Sequence, residues 1–546
     1  MNEQQDGGGQ QLVPRGGGRA PGGAPPADGD FVIERWGVPM LALVVGAFMA
    51  LLDSSIVNVA IPAMEHAFSV GTQQMEWVVT IYLLALGVVV PASGWLGDKL
   101  GFKRLYLLSL AVFTLGSGLS ALSPSLGFLV AARVLQAVGG GMVMPTTMSM
   151  VYRIIPRKQI GTATAFFGMA MLLAPAVGPT LGGYLVQYVN WRWIFTINLP
   201  IGVFGGLLAA ASLPEFPRHD AGPFDGVGFL AVSAGLGSLL LALSEGQTWG
   251  WSSHAIVWLF FISGVSLLAF IWIELGVARP LLDLRVFRYT EYTLSCLFVL
   301  GMSVALFAAV FFIPVFLQLA RGMGALDTGL ILMPGALITG LFMPVGGKLY
   351  DKMGARVPVV AGAVILAAST FLFHNLSLTT PDSTLAIWSA LRGIGMGLAM
   401  MPATTAGMAI IPPLELGRAS AVQNIVQRLG GAFGIAVLTV MLDNGIAQRA
   451  SLAAAAYAPG TPAVYLLHNL MGSLAATGLG TLGAESVVYQ QVANVISAAS
   501  FARTLDVLFV LLAVIGLATV IPGAFMRGKG ASQESEATRP MGMAAD

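Results

Sequence analysis

A single carboxylate inside a long apolar run is the part of this sequence with the clearest chemistry. The run Met49–Pro62 reads MALLDSSIVNVAIP, and the residues from Val38 onwards extend it to a length that can cross a bilayer, which needs about 20 residues. Its one carboxylate is Asp53. An ionised Asp at the centre of a membrane helix costs a few kcal/mol, so such residues mark proton relays, pathways or counter-ions. We predict that Asp53 serves one of these three roles.

A second charged residue, Arg133, lies in another apolar run, RVLQAVGGG. A guanidinium keeps its charge at ordinary pH, so inside a membrane it needs a partner. Asp53 is the carboxylate that falls well inside a span of the N-terminal half. We therefore predict that Arg133 contacts Asp53, directly or through water, and senses the proton or substrate state of that carboxylate. The alternative is that Arg133 lies near the membrane surface and extends to water.

Polar side chains share one face of a later apolar run, at positions i, i+1, i+4 and i+5. They are Gln423, Asn424, Gln427 and Arg428. A polar face toward lipid is costly, so we predict that this face lines a cavity opposite Asp53. The remaining predicted substrate-binding residues are Asn58, Trp77, Tyr82 and Gln136. For these four, the alternative is packing or a place in the interfacial aromatic belt.

The composition is that of a polytopic, all-α integral membrane protein. Of 546 residues, 56% are hydrophobic and 10% charged, whereas soluble chains carry about 25% charge. A net charge of +1 gives no reason to expect a nucleic-acid partner. One cysteine, Cys296, allows no disulfide within the chain, and the five histidines show no metal-ligand spacing. We expect no metal, no cofactor and no catalytic residue, and no phosphate-binding loop supports ATP drive.

Hydropathy predicts fourteen spans, which form two six-helix bundles and two extra central transmembrane helices. The spans are 38–62, 77–97, 105–123, 127–150, 161–186, 192–212, 226–244, 255–275, 293–319, 328–349, 357–374, 383–404, 419–441 and 504–526. The predicted divisions are a disordered cytoplasmic tail at 1–35, a bundle at 36–212, the linking helices at 213–292, a bundle at 293–526 that includes a long extracytoplasmic loop with surface helices at 442–503, and a cytoplasmic tail at 527–546.

The basic residues fix the predicted orientation. With a cytoplasmic N-terminus, 20 of the 27 Lys and Arg fall on the cytoplasmic side, four on the other side and three within spans. Positive charge is retained on the cytoplasmic side of membrane proteins. We therefore predict a multi-pass protein of the plasma (inner) membrane with both termini in the cytoplasm.

A charged loop occurs twice. GWLGDKLGFK, from Gly94, recurs as GKLYDKMGAR, from Gly347, each between the second and third span of its half. The repeat indicates two parallel halves with a substrate path between them. Glycines beside an Asp let helix ends approach, so the Asp can lie near a helix N-terminus or pair with a basic residue, as a latch between conformations. The alternative is a loop that only sets topology. The predicted gating residues are Gly94, Asp98, Gly101, Arg104 and Asp351.

The fifth predicted span contains a run of small residues and prolines, GMAMLLAPAVGPTLGG. Such a face allows close approach of another helix. We predict that a helix of the other half packs on it and that the contact opens and closes during transport; the alternative is simple tight packing. The residues concerned are Pro175, Gly178, Pro179, Gly182 and Gly183.

Together, LDSSIVNVAIP, GWLGDKLGFKR, RVLQAVGGG, APAVGPTLGG and WRWIFTINLPIG resemble the major facilitator superfamily, and more closely its fourteen-helix drug:proton antiporters of the EmrB/QacA type. The resemblance covers residues 38–526. It implies that Asp53 and Arg133 take part in proton coupling, that Asp98 and Arg104 belong to the cytoplasmic gating loop, and that the fifth-span run is the antiporter motif.

The expected function is efflux of amphipathic organic compounds driven by the proton-motive force, through alternating access. The alternative is a uniporter or symporter for a metabolite such as a sugar or peptide. The expected partners are small organic substrates, protons and the lipid bilayer. In a Gram-negative host, the resemblance of the 442–503 stretch to EmrB-type pumps also implies a periplasmic adaptor and an outer-membrane channel.

Overall fold

Helices are the regular elements in the part of the chain that the structure describes. The structure, a computed structural model, describes residues 36–216, 218, 222–277, 280–412, 415–455 and 480–527. The predicted tails, apart from residue 527, and the middle of the predicted outer loop lie outside these ranges.

The helices of the N-terminal half are α1 (Gly37–Phe68), α2 (Thr72–Met75), α3 (Trp77–Val89), α4 (Ala92–Leu100), α5 (Phe102–Ala121), α6 (Leu126–Ile154), α7 (Ile160–Tyr188), α8 (Trp193–Thr196) and α9 (Asn198–Ser212). The linking pair is α10 (Gly226–Trp249) and α11 (His254–Gly276). The C-terminal half contains α12 (Thr290–Val315), α13 (Ala325–Met353), α14 (Arg356–Leu372), α15 (Asp382–Ala409), α16 (Leu416–Ala455), α17 (Gly480–Ala518) and α18 (Val520–Phe525).

The prediction of an all-helical membrane protein is confirmed. Within the described ranges, twelve helices are long and apolar enough to cross a membrane, or thirteen if the bent pair Gln73–Val89 and Ala92–Leu100 is one span. The two parts of that pair meet at 58°. Pro91 lies between them, and a proline removes a backbone hydrogen bond and bends a helix.

The two halves repeat one close helix crossing. In the N-terminal half, a Cβ atom on Gly116 of α5 would lie 2.5 Å from the backbone nitrogen of Gln136 of α6. In the C-terminal half, a Cβ atom on Gly362 of α14 would lie 2.6 Å from the carbonyl oxygen of Gly395 of α15. Backbones therefore meet directly in both crossings, as small residues allow in membrane helices.

The linking helices touch both halves. α10 packs along α11 and also against α3 and α16. Thr80 Oγ1 of α3 donates a 3.5 Å hydrogen bond to Glu245 of α10, whose side chain is buried. Gln247 of α10 donates to Asp443 of α16. The linking pair is thus packed on the bundle through polar contacts to each half.

One end of the bundle contains the α4–α5, α6–α7 and α13–α14 junctions and the start of α16. We call it the basic end. In the described chain, the hydrogen bonds and ion pairs that join the two six-helix halves lie toward this end. Thr164 and Thr405 share a hydrogen bond of 2.9 Å, and Ser420 Oγ donates to the Pro145 carbonyl at 3.2 Å. The two halves are therefore held closed at the basic end.

The prediction for the glycine-rich face of α7 was wrong at Gly178 and Gly182. Gly178 packs against Ser55, and a Cβ atom on Gly182 would lie 2.8 Å from Ile56 Cγ1, so this face packs on α1 of its own half. α7 meets the other half nearer the basic end, where a Cβ atom on Gly168 would lie 2.8 Å from Met343 Sδ of α13. One helix thus uses different stretches for the two contacts.

The predicted outer loop at 442–503 begins and ends as helix. α16 continues beyond residue 441 to Ala455, and α17 begins at Gly480 rather than near 504. In the described part of this stretch, the helices are extensions of the two spans and not separate surface helices. Gly445 explains the contact between them, because its missing side chain leaves room for Thr504.

Candidate functional site

Asp53 lies near the middle of α1 and has no solvent exposure. Three donors from two other helices surround its carboxylate. Arg133 Nη1 donates to Oδ2 at 2.6 Å, while Gln136 Nε2 and Asn198 Nδ2 donate to Oδ1 at 2.8 and 2.9 Å. Both carboxylate oxygens therefore accept hydrogen bonds, and one of the three donors is a cation, so these are charge-assisted contacts.

Arg133 is held from several directions and is 1% exposed. Its Nη1 also donates to Gln136 Oε1 at 2.8 Å, and its Nε donates to the Val78 carbonyl at 3.3 Å. The guanidinium lies 3.8 Å from the centre of the Tyr82 ring, a cation–π geometry. The alternative in which Arg133 extends to water is therefore wrong for this structure.

Asn198 and Ser117 belong to the site, and sequence reasoning missed both. Asn198 Nδ2 donates to Asp53 and also lies 3.0 Å from Ser117 Oγ. Ser117 in turn donates to the Phe195 carbonyl at 2.9 Å. A signal was present, since Asn198 is a polar residue inside the apolar run of WRWIFTINLPIG, and polar residues at membrane depth are costly.

The ion pair makes Asp53 the counter-charge of Arg133. A guanidinium does not lose its own proton, so protonating Asp53 would leave the buried Arg133 charge without its counter-charge. Removing one partner of a buried ion pair costs about 3–5 kcal/mol. A proton could therefore bind with less cost if Arg133 moved away from α1, toward the groups that already touch it, Gln136 and Tyr82.

The first charged loop docks on the start of α16. Asp98 Oδ2 lies 3.8 Å from Arg418 Nη2. A Cβ atom on Gly94 would lie 3.1 Å from the Arg418 backbone nitrogen, so the two helices touch at this glycine. Phe102 is buried here, and its ring would lie 2.9 Å from a Cβ atom on Gly417. We call this contact between the N-terminal loop and α16 the first latch.

The second charged loop caps the start of α7. Asp351 accepts from the backbone nitrogens of Gly161 and Thr162, each at 3.0 Å, and from Thr162 Oγ1 at 2.7 Å. A carboxylate is favourable at a helix N-terminus, where backbone N–H groups are free. We call this contact the second latch. Each latch joins a loop of one half to a helix start in the other.

Two other gating residues have different environments. Gly101 has φ +87°, as the matching Gly354 has φ +81°, a backbone conformation that favours glycine. Arg104 is exposed, and its Nε lies 3.9 Å from Glu215 of the same half. A surface pair of this kind contributes at most about 1 kcal/mol. Arg104 is therefore outside both latches.

The predicted substrate residues fall in several places. Tyr82 and Gln136 lie at the Asp53 site, whereas Asn58 is exposed on α1. Trp77 lines a separate apolar groove of about 390 Å³ between α3 and the start of α6, so it is not brought to Asp53. The four residues of the α16 stripe are half-buried. Two of them donate hydrogen bonds within their own half: Gln423 Nε2 donates to Ser295 Oγ at 3.2 Å, and Asn424 Nδ2 donates to the Ser420 carbonyl at 2.9 Å.

The other two residues of the stripe are Gln427 and Arg428. Arg428 is within electrostatic range of Tyr82, which lies in the opposite half. The structure thus brings one side chain of the stripe to the Asp53 side of the bundle. The remaining residues of the predicted antiporter motif are Pro175, Pro179 and Gly183. All three lie in α7, and a Cβ atom on Gly183 would meet nothing within 4 Å.

The fold and this buried charge cluster agree with a comparison to known families. Residues 43–435 match the Major Facilitator Superfamily. The chain belongs to this superfamily. The superfamily makes it a transport protein and not an enzyme, and residue 53 and residue 133 both lie within the matched region.

Curated relatives are named for drug resistance. The chain is 31% identical over 495 residues to the Multidrug resistance protein B homolog of Mycobacterium tuberculosis, covering 90% of this chain and 89% of that protein. It is 29% identical over 409 residues to the Lincomycin resistance protein LmrB of Listeria monocytogenes, covering 75% and 87%. The resemblance to the drug-transporter branch of the superfamily is therefore confirmed.

Solved structures share the fold. The structure of the proton:xylose symporter XylE aligns with a TM-score of 0.57 and 12% identity, covering 89% of this chain and 94% of that one. At this identity the likeness establishes the fold alone.

Proposed function

We propose that the protein exports amphipathic organic compounds in exchange for protons. The observation that carries the proposal is the Asp53 carboxylate, buried at mid-helix and bound by Arg133, Gln136 and Asn198. An intramembrane carboxylate whose counter-ion is a non-titrating arginine is suited to bind and release a proton with a change of contacts. The drug-resistance names of the relatives support an organic compound as the cargo.

We infer fourteen spans. The twelve single helices and the bent pair α3–α4 give thirteen, and α7 is a 29-residue helix that is also long enough to cross. An even number places both termini on one side, and the excess of basic residues makes that side the cytoplasm. The basic end of the bundle then faces the cytoplasm. With both latches closed there, the described conformation is one that is closed to the cytoplasm in an alternating-access cycle.

Residues Asp98, Arg418, Gly161 and Asp351 then form the cytoplasmic gate. The adaptor and outer-membrane channel remain an expectation for a Gram-negative host, carried by the resemblance of the 442–503 stretch to EmrB-type pumps. Export driven by the proton-motive force requires that the protein lie in the inner membrane.

The deciding experiment measures proton movement in everted membrane vesicles when a compound is added. The panel contains cationic, neutral and acidic amphiphiles, and the proteins are wild type, Asp53→Asn and the matched control Arg104→Gln at an exposed position. We expect wild type and control to release protons with some compounds and Asp53→Asn to release none. Equal coupling in Asp53→Asn would make Asp53 structural. No proton movement in wild type, with downhill flux retained, would favour the uniporter alternative, and proton movement in the same direction as the compound would favour symport.

A further inference from the structure

Two buried donor atoms at the interface between the halves have no partner. Tyr82 is 1% exposed, and neither its Oη nor Arg428 Nε has a hydrogen-bond partner in the described part of the chain. Buried polar atoms are nearly always paired in native structures, so each exception requires an explanation. Leaving a buried donor unpaired costs about 1–3 kcal/mol. Each of the two donors therefore requires a partner that the described residues do not supply.

The two side chains come from opposite halves. Tyr82 belongs to α3, and Arg428 belongs to α16, yet the two are within electrostatic range of each other. The Tyr82 ring also lies 3.8 Å from the Arg133 guanidinium, so Tyr82 stands between two arginines. A ligand that contacts both Tyr82 Oη and Arg428 would therefore bridge the halves next to the Asp53 site.

The charges of the two arginines differ in one respect. Arg133 has Asp53 as its counter-charge at 2.6 Å. Arg428 has no carboxylate partner in the described residues, and Tyr82 is the group with which it interacts electrostatically. A guanidinium at membrane depth without a counter-charge is costly unless a ligand or water compensates it.

We propose that Arg428 and Tyr82 bind an anionic group of the exported compound, a carboxylate or a similar oxyanion on an amphipathic scaffold. The inference rests on the proposed export function for the identity of the ligand as cargo. An oxyanion accepts both from the planar guanidinium and from a phenolic hydroxyl. A cationic group would be repelled by Arg428, and a neutral carbonyl could accept the Tyr82 hydrogen bond but would leave the guanidinium charge unpaired.

Binding measured apart from transport tests this site. Purified full-length protein is titrated by calorimetry with three matched sets of probes, built on pyrenyl, naphthyl and dodecyl scaffolds. Each set contains the carboxylate, the carboxamide and the ammonium compound. The variants are Tyr82→Phe, Arg428→Gln and Arg428→Lys, with Arg104→Gln as the control at an exposed position. Tyr82→Phe keeps the ring against Arg133 and removes the hydroxyl alone.

We expect the wild type to bind the carboxylate at least tenfold more tightly than the carboxamide in one or more sets. Hydrogen bonds to a charged group contribute enough that each of Arg428→Gln and Tyr82→Phe should weaken carboxylate binding by about ten- to a hundredfold. Carboxamide binding should change little in Arg428→Gln, and in Tyr82→Phe it should weaken less than carboxylate binding, because a hydrogen bond to a neutral carbonyl contributes less than one to a charged group. Arg428→Lys should restore part of the loss relative to Arg428→Gln, because it keeps the charge and loses the planar fork. The control should match the wild type.

The inference is overturned if no set shows a preference for the carboxylate, or if Tyr82→Phe and Arg428→Gln weaken carboxylate and carboxamide equally. If Arg428→Gln fails to fold, Tyr82→Phe alone tests the inference, because it removes one hydroxyl donor and leaves the packing of the ring nearly unchanged. Anion binding with no proton exchange in vesicles would refute the proposed export mechanism and leave the site standing. Proton exchange without a preference for the anionic probe would refute the anion site and leave the proposed export mechanism standing.

Discussion

Replacing Asp53 by Asn tests whether the carboxylate is ionised in this conformation. Asn has nearly the shape of Asp, so the packing of α1 is unchanged. Both carboxylate oxygens accept hydrogen bonds, one from Arg133 and the other from Gln136 and Asn198. Whichever way the Asn amide is turned, its NH2 group must face a donor. The substitution also removes the counter-charge of an arginine that is 1% exposed.

The magnitude follows from these contacts. Removing one partner of a buried ion pair costs about 3–5 kcal/mol. Arg133→Gln should cost a similar amount, since it leaves the Asp53 charge buried. The double variant removes both charges, and its remaining cost is that of lost hydrogen bonds, about 1–3 kcal/mol. We therefore expect the double variant to be more stable than either single variant. In a double-mutant cycle, its destabilisation is then much smaller than the sum of the two single destabilisations, which is a large coupling energy.

Thermal unfolding of the purified protein in detergent measures this order, with the ten tryptophans as the fluorescence signal. The expected order of melting temperature is wild type, then the double variant, then the two single variants. If Asp53→Asn melts with the wild type, the carboxyl group carries its proton in this state and the reasoning from an ion pair fails. If the losses of the two single variants simply add in the double variant, residues 53 and 133 do not interact energetically.

Two further predictions concern the latches and the glycines of α7. Asp351→Asn should open the second latch, because an amide has one accepting oxygen where the carboxylate has two. Losing a hydrogen bond of this kind should shift the equilibrium between closed and open latch by about tenfold or more. A cysteine at Thr405, in a background without the native cysteine, should then react faster with a permeant maleimide, whereas Arg104→Gln should leave the rate unchanged; an unchanged rate in Asp351→Asn would contradict the latch. Gly182→Ala should reduce transport and stability by overpacking against α1, at about 1–3 kcal/mol, while the neighbouring Gly183→Ala should behave as wild type. Equal behaviour of the two alanine variants would show that the α1–α7 contact is looser than described.

The cost of polar groups inside a bilayer explains which features the sequence could predict. The apolar runs gave helices whose ends agree with the structure within a few residues for most spans, because a bilayer sets the length of an apolar helix. The pairing of Asp53 with Arg133 followed from the same cost, since opposite charges at membrane depth need each other. The repeat of the charged loop predicted two docking sites, and the structure places Asp98 and Asp351 at matching positions.

The failures have a different physical origin. Hydropathy does not determine how far a helix is rotated about its axis, so the face that Gly178 and Gly182 present could not be assigned to one neighbour. Asn198 was missed because one polar residue in an apolar run has no periodicity. Arg418 is one of the 20 basic residues on the predicted cytoplasmic side, and its contacts with Asp98 and Gly94 in the structure show it to be a latch residue. Contacts between elements, and not the elements themselves, were the part that sequence reasoning could not supply.

The same two helices carry a latch at one end and a functional residue further along. α7 begins at the Asp351 latch, and its Gly178 packs against Ser55, two residues from Asp53 on α1. α16 begins at the Asp98 latch and reaches Arg428 ten residues later, about 15 Å along a helix.

Each latch therefore grips a helix of the opposite half whose far part reaches the site. A helix is one of the rigid elements through which a displacement at one end can reach the other. We infer that a shift of Arg133 on protonation of Asp53, or of Arg428 on loss of its ligand, biases both latches through α7 and α16. The two ligands then compete for one rigid-body motion, as the exchange of a proton for a compound requires.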